Sequence, residues 1–184
     1  MKFTDKLDSM NACSEAVKWV GKRGIKTAWR DCPRGGWMLW LAGKLDIDRK
    51  LLVLAACDCA ETALKYVPEG EDRPAKAIQT SRNWCNGTAT TQECRADAAT
   101  SAATYAATSA TLAATYATFA ATYATLAATS AATYAAAYAA TYATYATLAA
   151  TSAADARQSA RKTCADLVRK RIPIDLITKA LIRR

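Results

Sequence analysis

The 184-residue chain contains no histidine. That removes the usual proton shuttle at neutral pH and the commonest metal ligand. No Ser–His–Asp or Cys–His catalytic pair is available. The seven cysteines (13, 32, 57, 59, 85, 94 and 164) include no CxxC pair, and their nearest spacing is Cys57-Asp58-Cys59. Zinc sites are built from CxxC or histidine partners, so no metal and no cofactor are expected. Scattered cysteines on apolar faces are expected as buried thiols. A Gly-rich phosphate loop and a nucleophile elbow are also missing. The chain is therefore not expected to be an enzyme or to take a small-molecule substrate. Asp58 and Glu61 stand one helical turn apart, and a solvated helix edge is the expected reading.

Glycine and proline are scarce, at 7 and 4, and neither occurs between Thr88 and Ile172. Charge is absent from Ala98 to Ala154. Met1 to Met10 is polar and charged, which argues against a signal peptide. Threonine and tyrosine recur too often in the Ala-rich stretch for a lipid-facing helix, so no membrane span is expected. Free thiols then suit the cytoplasm of a bacterium or of a virus that infects one. The formal charge of +9 is uneven: 16 basic and 13 acidic residues precede Ala98, against 9 and 3 from Asp155 onward. Cations gathered near a helix C-terminus have a dipole explanation, so a dedicated nucleic-acid site is not expected.

What is present divides into a Trp-bearing first half and an Ala/Thr-rich remainder. All five tryptophans (Trp19, Trp29, Trp37, Trp40, Trp84) lie before residue 90 and are expected in a core. Asp8 or Ser9 caps a helix to about Val20, closed by Gly21 and Gly24. Ile25 to Arg30 is short and stops before Pro33. Gly36 to Ala42 follows. Asp46 or Asp48 opens a helix over Leu51 to Val67, and Asp72-Arg73-Pro74 opens another that ends at Asn86-Gly87. No strand-like alternation occurs. The fold class is all-α. The expected organisation is a helical bundle at 1–90, one very long helix at 91–171 and a short C-terminal helix at 172–184.

Several segments occur in a suggestive order: Asn11-Ala12-Cys13, Thr27-Ala28-Trp29, Cys32-Pro33-Arg34 and Trp37-Met38-Leu39-Trp40-Leu41. Leu54-Ala55-Ala56-Cys57, the run from Val67 to Ile78, and Trp84 follow. On these residues, over about 9–97 and near Ala165-Asp166, the chain resembles the Imm-5-like immunity-protein domain of bacteria and phages. The resemblance implies toxin neutralisation and brings no catalytic residues.

Thr90-Thr91-Gln92-Glu93 is a capping box for the long helix, and Pro173 supplies its stop. Eighty helical residues would span about 120 Å. Threonines stand at Thr100, Thr104, Thr108, Thr111, Thr115, Thr118, Thr122, Thr125, Thr129, Thr133, Thr141, Thr144, Thr147 and Thr151. With Ala137 counted as a filled gap, their mean spacing is about 3.6 residues, the α-helical period. Thr100, Thr111, Thr122, Thr133 and Thr144 set an eleven-residue register, and residues 122–132 and 144–154 are identical. Such a period keeps the stripe straight, where a seven-residue repeat would drift.

The residue after each threonine forms a second stripe about 100° round the helix. It carries Tyr105, Leu112, Tyr116, Phe119, Tyr123, Leu126, Tyr134, Tyr138, Tyr142, Tyr145 and Leu148, with serines between. A bundle about 30 Å across covers only part of it. A second copy of the same helix would cover the rest, so a homodimer is expected.

Each threonine costs about half a kcal/mol relative to alanine inside a helix. Solubility alone would be served better by Lys and Glu. A rigid, uncharged array of methyl and hydroxyl groups suits a flat periodic surface such as ice. The repeat resembles the alanine-rich helical (type I) antifreeze proteins, whose TxxxAxxxAxx pattern maps onto Thr100, Thr111, Thr122, Thr133 and Thr144. That resemblance implies that the threonine stripe binds ice. This chain departs from it through the additional threonines, the aromatic stripe and the folded domain. The leading expectation is thus an ice-binding protein whose partner is an ice surface. The alternative is an immunity or anti-defence interaction protein with an oligomerising helical rod.

Overall fold

The computed structural model describes residues 2–67, 69–97 and 154–183, and every regular element among them is helical. The helix expected from Asp8 or Ser9 to Val20 begins later, as α2 (Ser14–Val20), and a helix not anticipated, α1 (Phe3–Ser9), precedes it. Asn11 sits between them at φ 61°, a left-handed conformation that asparagine tolerates better than most residues. α3 (Ile25–Asp31) and α4 (Gly35–Lys44) follow the expected spans closely. α5 (Arg49–Glu61) opens on Asp48, whose side chain accepts from the Lys50 amide at 2.7 Å. It ends earlier than expected, and a single 3-10 turn, Leu64–Tyr66, carries the chain on toward Val67.

α6 (Arg73–Asn86) has Pro74 in its first turn and Gly87 at φ 79° after its last. The Thr88 amide donates to the Asn83 carbonyl at 2.9 Å, the six-to-one bond of a glycine-closed helix end. Residues 91–97 form α7. The Glu93 amide donates to Thr90 Oγ1 at 3.2 Å and the Thr90 amide to the Glu93 carboxylate at 2.6 Å, so the capping box is present. α8 (Ala154–Arg171) and α9 (Ile174–Ile182) are separated at Pro173.

One core joins these elements. α8 packs against α4 and α5, α5 against α6, and α9 against α3. Met38, Leu39, Val53, Val168, Ile172 and Ile177 are fully buried within it. Small residues set the spacing. A Cβ on Gly35 would come within 2.9 Å of the Cys164 backbone, so α4 and α8 approach as closely as glycine permits.

The packing corrects the expectation of one straight helix from 91 to 171. Cys94 and Cys164 would lie about 105 Å apart on such a rod. Both are buried in the same core, Cys94 through α7 and Cys164 through α8. The two flanks of the repeat therefore return to one body. The repeat itself lies outside the described residues. No helix among the described residues is long and apolar enough to cross a membrane.

Candidate functional site

Two features stand out among the described residues. The first is a cleft of about 460 Å³ on α1 to α4, walled by Trp19, Trp29, Trp37, Trp40, Met38 and Leu41. Trp19 and Trp37 meet with ring centroids 6.1 Å apart and planes inclined at 53°. Guanidinium groups lie over both rings, Arg23 at 4.9 Å from the Trp19 centroid and Arg34 at 4.3 Å from that of Trp37. These are cation–π contacts, and each cation has a further partner. Arg23 donates to the Trp19 carbonyl, and Arg34 forks onto the Glu15 carboxylate, one arm at 2.8 Å. The Arg34 guanidinium holds the Glu15 carboxyl below the ordinary carboxylate range. Trp29 is 4% exposed, and its Nε1–H has no acceptor among the described residues.

The second feature is a buried carboxylate. Asp58 on α5 is only 9% exposed and accepts from two guanidiniums. Arg171 of α8 donates to it through Nε at 2.5 Å and Nη2 at 3.1 Å. Arg82 of α6 reaches it at 2.9 Å and also reaches Glu61 at 2.7 Å. Hydrogen bonding to Asp58 raises the Arg171 pKa further. This corrects the reading of Asp58 as part of a solvated edge; Glu61 is the exposed member. The apolar run Leu51 to Cys59, broken only by Asp58, is the sequence signal for burial.

The basic residues at the end of α8 are likewise used within the fold. Arg169 Nη1 donates to the carbonyls of Trp29 at 3.1 Å and Cys32 at 3.0 Å. Those oxygens end α3 and lack helical donors, and a guanidinium there also faces the negative end of the helix dipole. Its other nitrogen meets Asp166 at 2.7 Å. Arg169 thus fixes the segment that carries Trp29, and so links α8 to the cleft.

Six of the seven thiols are buried and none is in a disulfide; Cys13 is exposed and lines the cleft. Burial pushes Cys57 up to about 12 and Cys85 up to about 11. Such thiols are poor nucleophiles. The described residues hold no cluster of three or more metal-ligating side chains.

The threonine stripe, Thr100 to Thr151, and the Tyr/Leu packing stripe, Tyr105 to Leu148, lie outside the described residues. Of the tryptophans expected in the core, Trp29 is buried, while Trp19, Trp37, Trp40 and Trp84 are partly exposed against it. The cleft was not anticipated from the sequence. Its signal was there: four tryptophans between residues 19 and 40 are more than a small bundle readily buries.

A family model described as "Imm-5 like putative immunity protein" matches residues 45–170. No curated protein and no solved structure matches the chain. The family match overturns the ice-binding reading. It runs from α5 through the repeat into α8, which places the repeat inside an immunity-protein family, and no match supports the antifreeze resemblance. The matched span also begins later than the resemblance drawn from residue 9, leaving the Trp cleft before it.

Proposed function

Because the chain belongs to the Imm-5 like putative immunity protein family, we propose that it protects its own cell by binding and neutralising a protein toxin. The match over residues 45–170 carries this reading. Stoichiometric binding agrees with the chemistry of the chain. It has no histidine, its most perturbed thiols are buried and raised, and its buried carboxylate is fully engaged by two arginines. Buried thiols outside any disulfide agree with action in a reducing compartment such as the cytoplasm. The test is co-expression in bacteria with the toxic product of a neighbouring gene. Survival with the intact chain is expected, together with a complex that co-purifies. Cells as sensitive as those with an empty vector would overturn the proposal.

The aromatic stripe of the repeat belongs to the same reading as a self-association surface. Eleven Tyr, Phe and Leu residues at helical spacing exceed what the core of a small bundle covers. A homodimer is expected in sedimentation equilibrium, and a monomer at high concentration rules it out.

A further inference from the structure

We infer that the cleft on α1 to α4 binds a small amphipathic anion, an apolar body that carries one carboxylate. The walls call for the body. About 460 Å³ lies within the range of small-molecule sites. Aromatic and aliphatic side chains make most of the lining, and no charged side chain is among the described residues that form it. Trp19, Trp37 and Trp40 are only partly buried against the core, so ring surface is left for a ligand to cover. Flat apolar groups stack well on indoles.

The surroundings call for the charge. Each of these three wall tryptophans has a cation over its ring: Arg23 at 4.9 Å from the Trp19 centroid, Arg34 at 4.3 Å from that of Trp37 and Lys44 at 5.9 Å from that of Trp40. Those distances are within a Debye length, about 8 Å at physiological salt. Glu15 offsets Arg34 through its forked pair. The balance stays positive with Glu15 counted. Residues 1–45 supply every wall residue and hold nine basic and four acidic side chains. α8 and α9 pack on α4 and α3, and the stretch from Asp155 that contains them holds 9 basic and 3 acidic residues. Acids outnumber bases only over residues 46–97, nine to seven, and that stretch lines none of the cleft. A low-dielectric cleft in a field of one sign concentrates ions of the other sign. The cations need not touch the carboxylate to favour it over a neutral or cationic head of the same shape, and salt weakens that preference. The walls end before residue 45, where the family match begins, so this site goes beyond the toxin reading and does not rest on it.

Three ligands of nearly one shape and different charge test the assignment: 2-naphthoate, the neutral 2-naphthamide and the cationic 2-naphthamidine. Binding to the full chain is measured by equilibrium dialysis near neutral pH, at about 20 mM and about 300 mM salt. Protection of Cys13, which is exposed and lines the cleft, from iodoacetamide reports where the ligand sits. Naphthoate is expected to bind one to one and to slow Cys13 alkylation. At the lower salt it should bind about tenfold tighter than the amide, with the amidine weakest, and the spread should narrow at the higher salt. The double variant Arg23→Gln, Lys44→Gln removes two of the three cations. It should weaken naphthoate about fivefold and leave the amide within about twofold. Ala16→Trp, which fills the cleft, should abolish binding of all three. Absence of saturable naphthoate binding by the wild type overturns the site, and so does binding that leaves Cys13 unprotected. Equal affinities for naphthoate and the amide at low salt, or a preference for the amidine, overturn the anionic assignment. The wild-type series needs no variant, so it decides the matter even if a variant does not fold. Toxin protection that persists alongside failed naphthoate binding would remove this site alone, and naphthoate binding by a chain that gives no protection would remove the toxin reading alone.

Discussion

Asp58 accepts from guanidiniums that lie 24 and 113 residues away in the chain, so one carboxylate ties α5 to both α6 and α8. Breaking a buried pair by removing one partner costs about 3–5 kcal/mol, because the remaining charge is left uncompensated. Arg82 keeps Glu61, and Arg171 is partly exposed, so the loss here falls toward the lower end. Asp58→Ala is expected to destabilise the fold by about 2–4 kcal/mol in urea unfolding, against under about 1 kcal/mol for the exposed Glu61→Ala. The thiols give two further outcomes. Iodoacetamide on the native chain near neutral pH should leave a single adduct, on Cys13, by mass spectrometry. Cys57, pushed up to about 12 by burial, keeps its proton in the folded state at pH values where the unfolded thiol has lost it. Stability is therefore complete below about pH 8.5 and falls as pH rises from there toward the folded value. Cys57→Ala should flatten the decline of the urea midpoint between pH 9 and 10.5, by up to about 1.4 kcal/mol per pH unit.

At the level of elements, what was legible in the sequence was local. The Asp48 cap, the Gly87 stop, the Thr90–Glu93 capping box and the break at Pro173 each depend on a few neighbouring residues. The later start of α2 was missed because the turn before it rests on Asn11 taking a left-handed conformation, which no Gly or Pro announces. The Asp58 cluster and the Arg169 cap were missed for another reason. Their partners come from distant parts of the chain, and helical periodicity gives no information on which helices meet. The contact of α4 with α8 is of this kind. Gly35→Ala drives a methyl group against the Cys164 backbone and should cost about 1–3 kcal/mol, read as a lowered thermal midpoint, although alanine is the better helix former.

At the scale of the molecule, the repeat leaves from α7 and returns through α8, and both of these helices are seated in the same core. α7 is held by Asp97, which accepts from Thr80 Oγ1 at 2.6 Å, and by the burial of Cys94. α8 is held by Cys164, Val168, Arg169 and Arg171. Every residue described in the core lies before the repeat or after it, and the contacts of α8 join the two sides. The family match spans the repeat together with its flanks from α5 into α8, so the repeat lies inside the matched unit. Removing residues 122–132, one eleven-residue unit with an identical copy at 144–154, is expected to leave the thermal midpoint of the core within about 3 °C of the parent, a change of about 1 kcal/mol at most.

Two fixed anchor points have an evolutionary consequence. Tandem units that are nearly identical are prone to gain or loss during DNA replication and recombination. In a chain whose core is assembled from the flanks, such copy-number changes are not screened by core packing. The length of the segment is thus free to drift, or to be selected, independently of the sequence that folds.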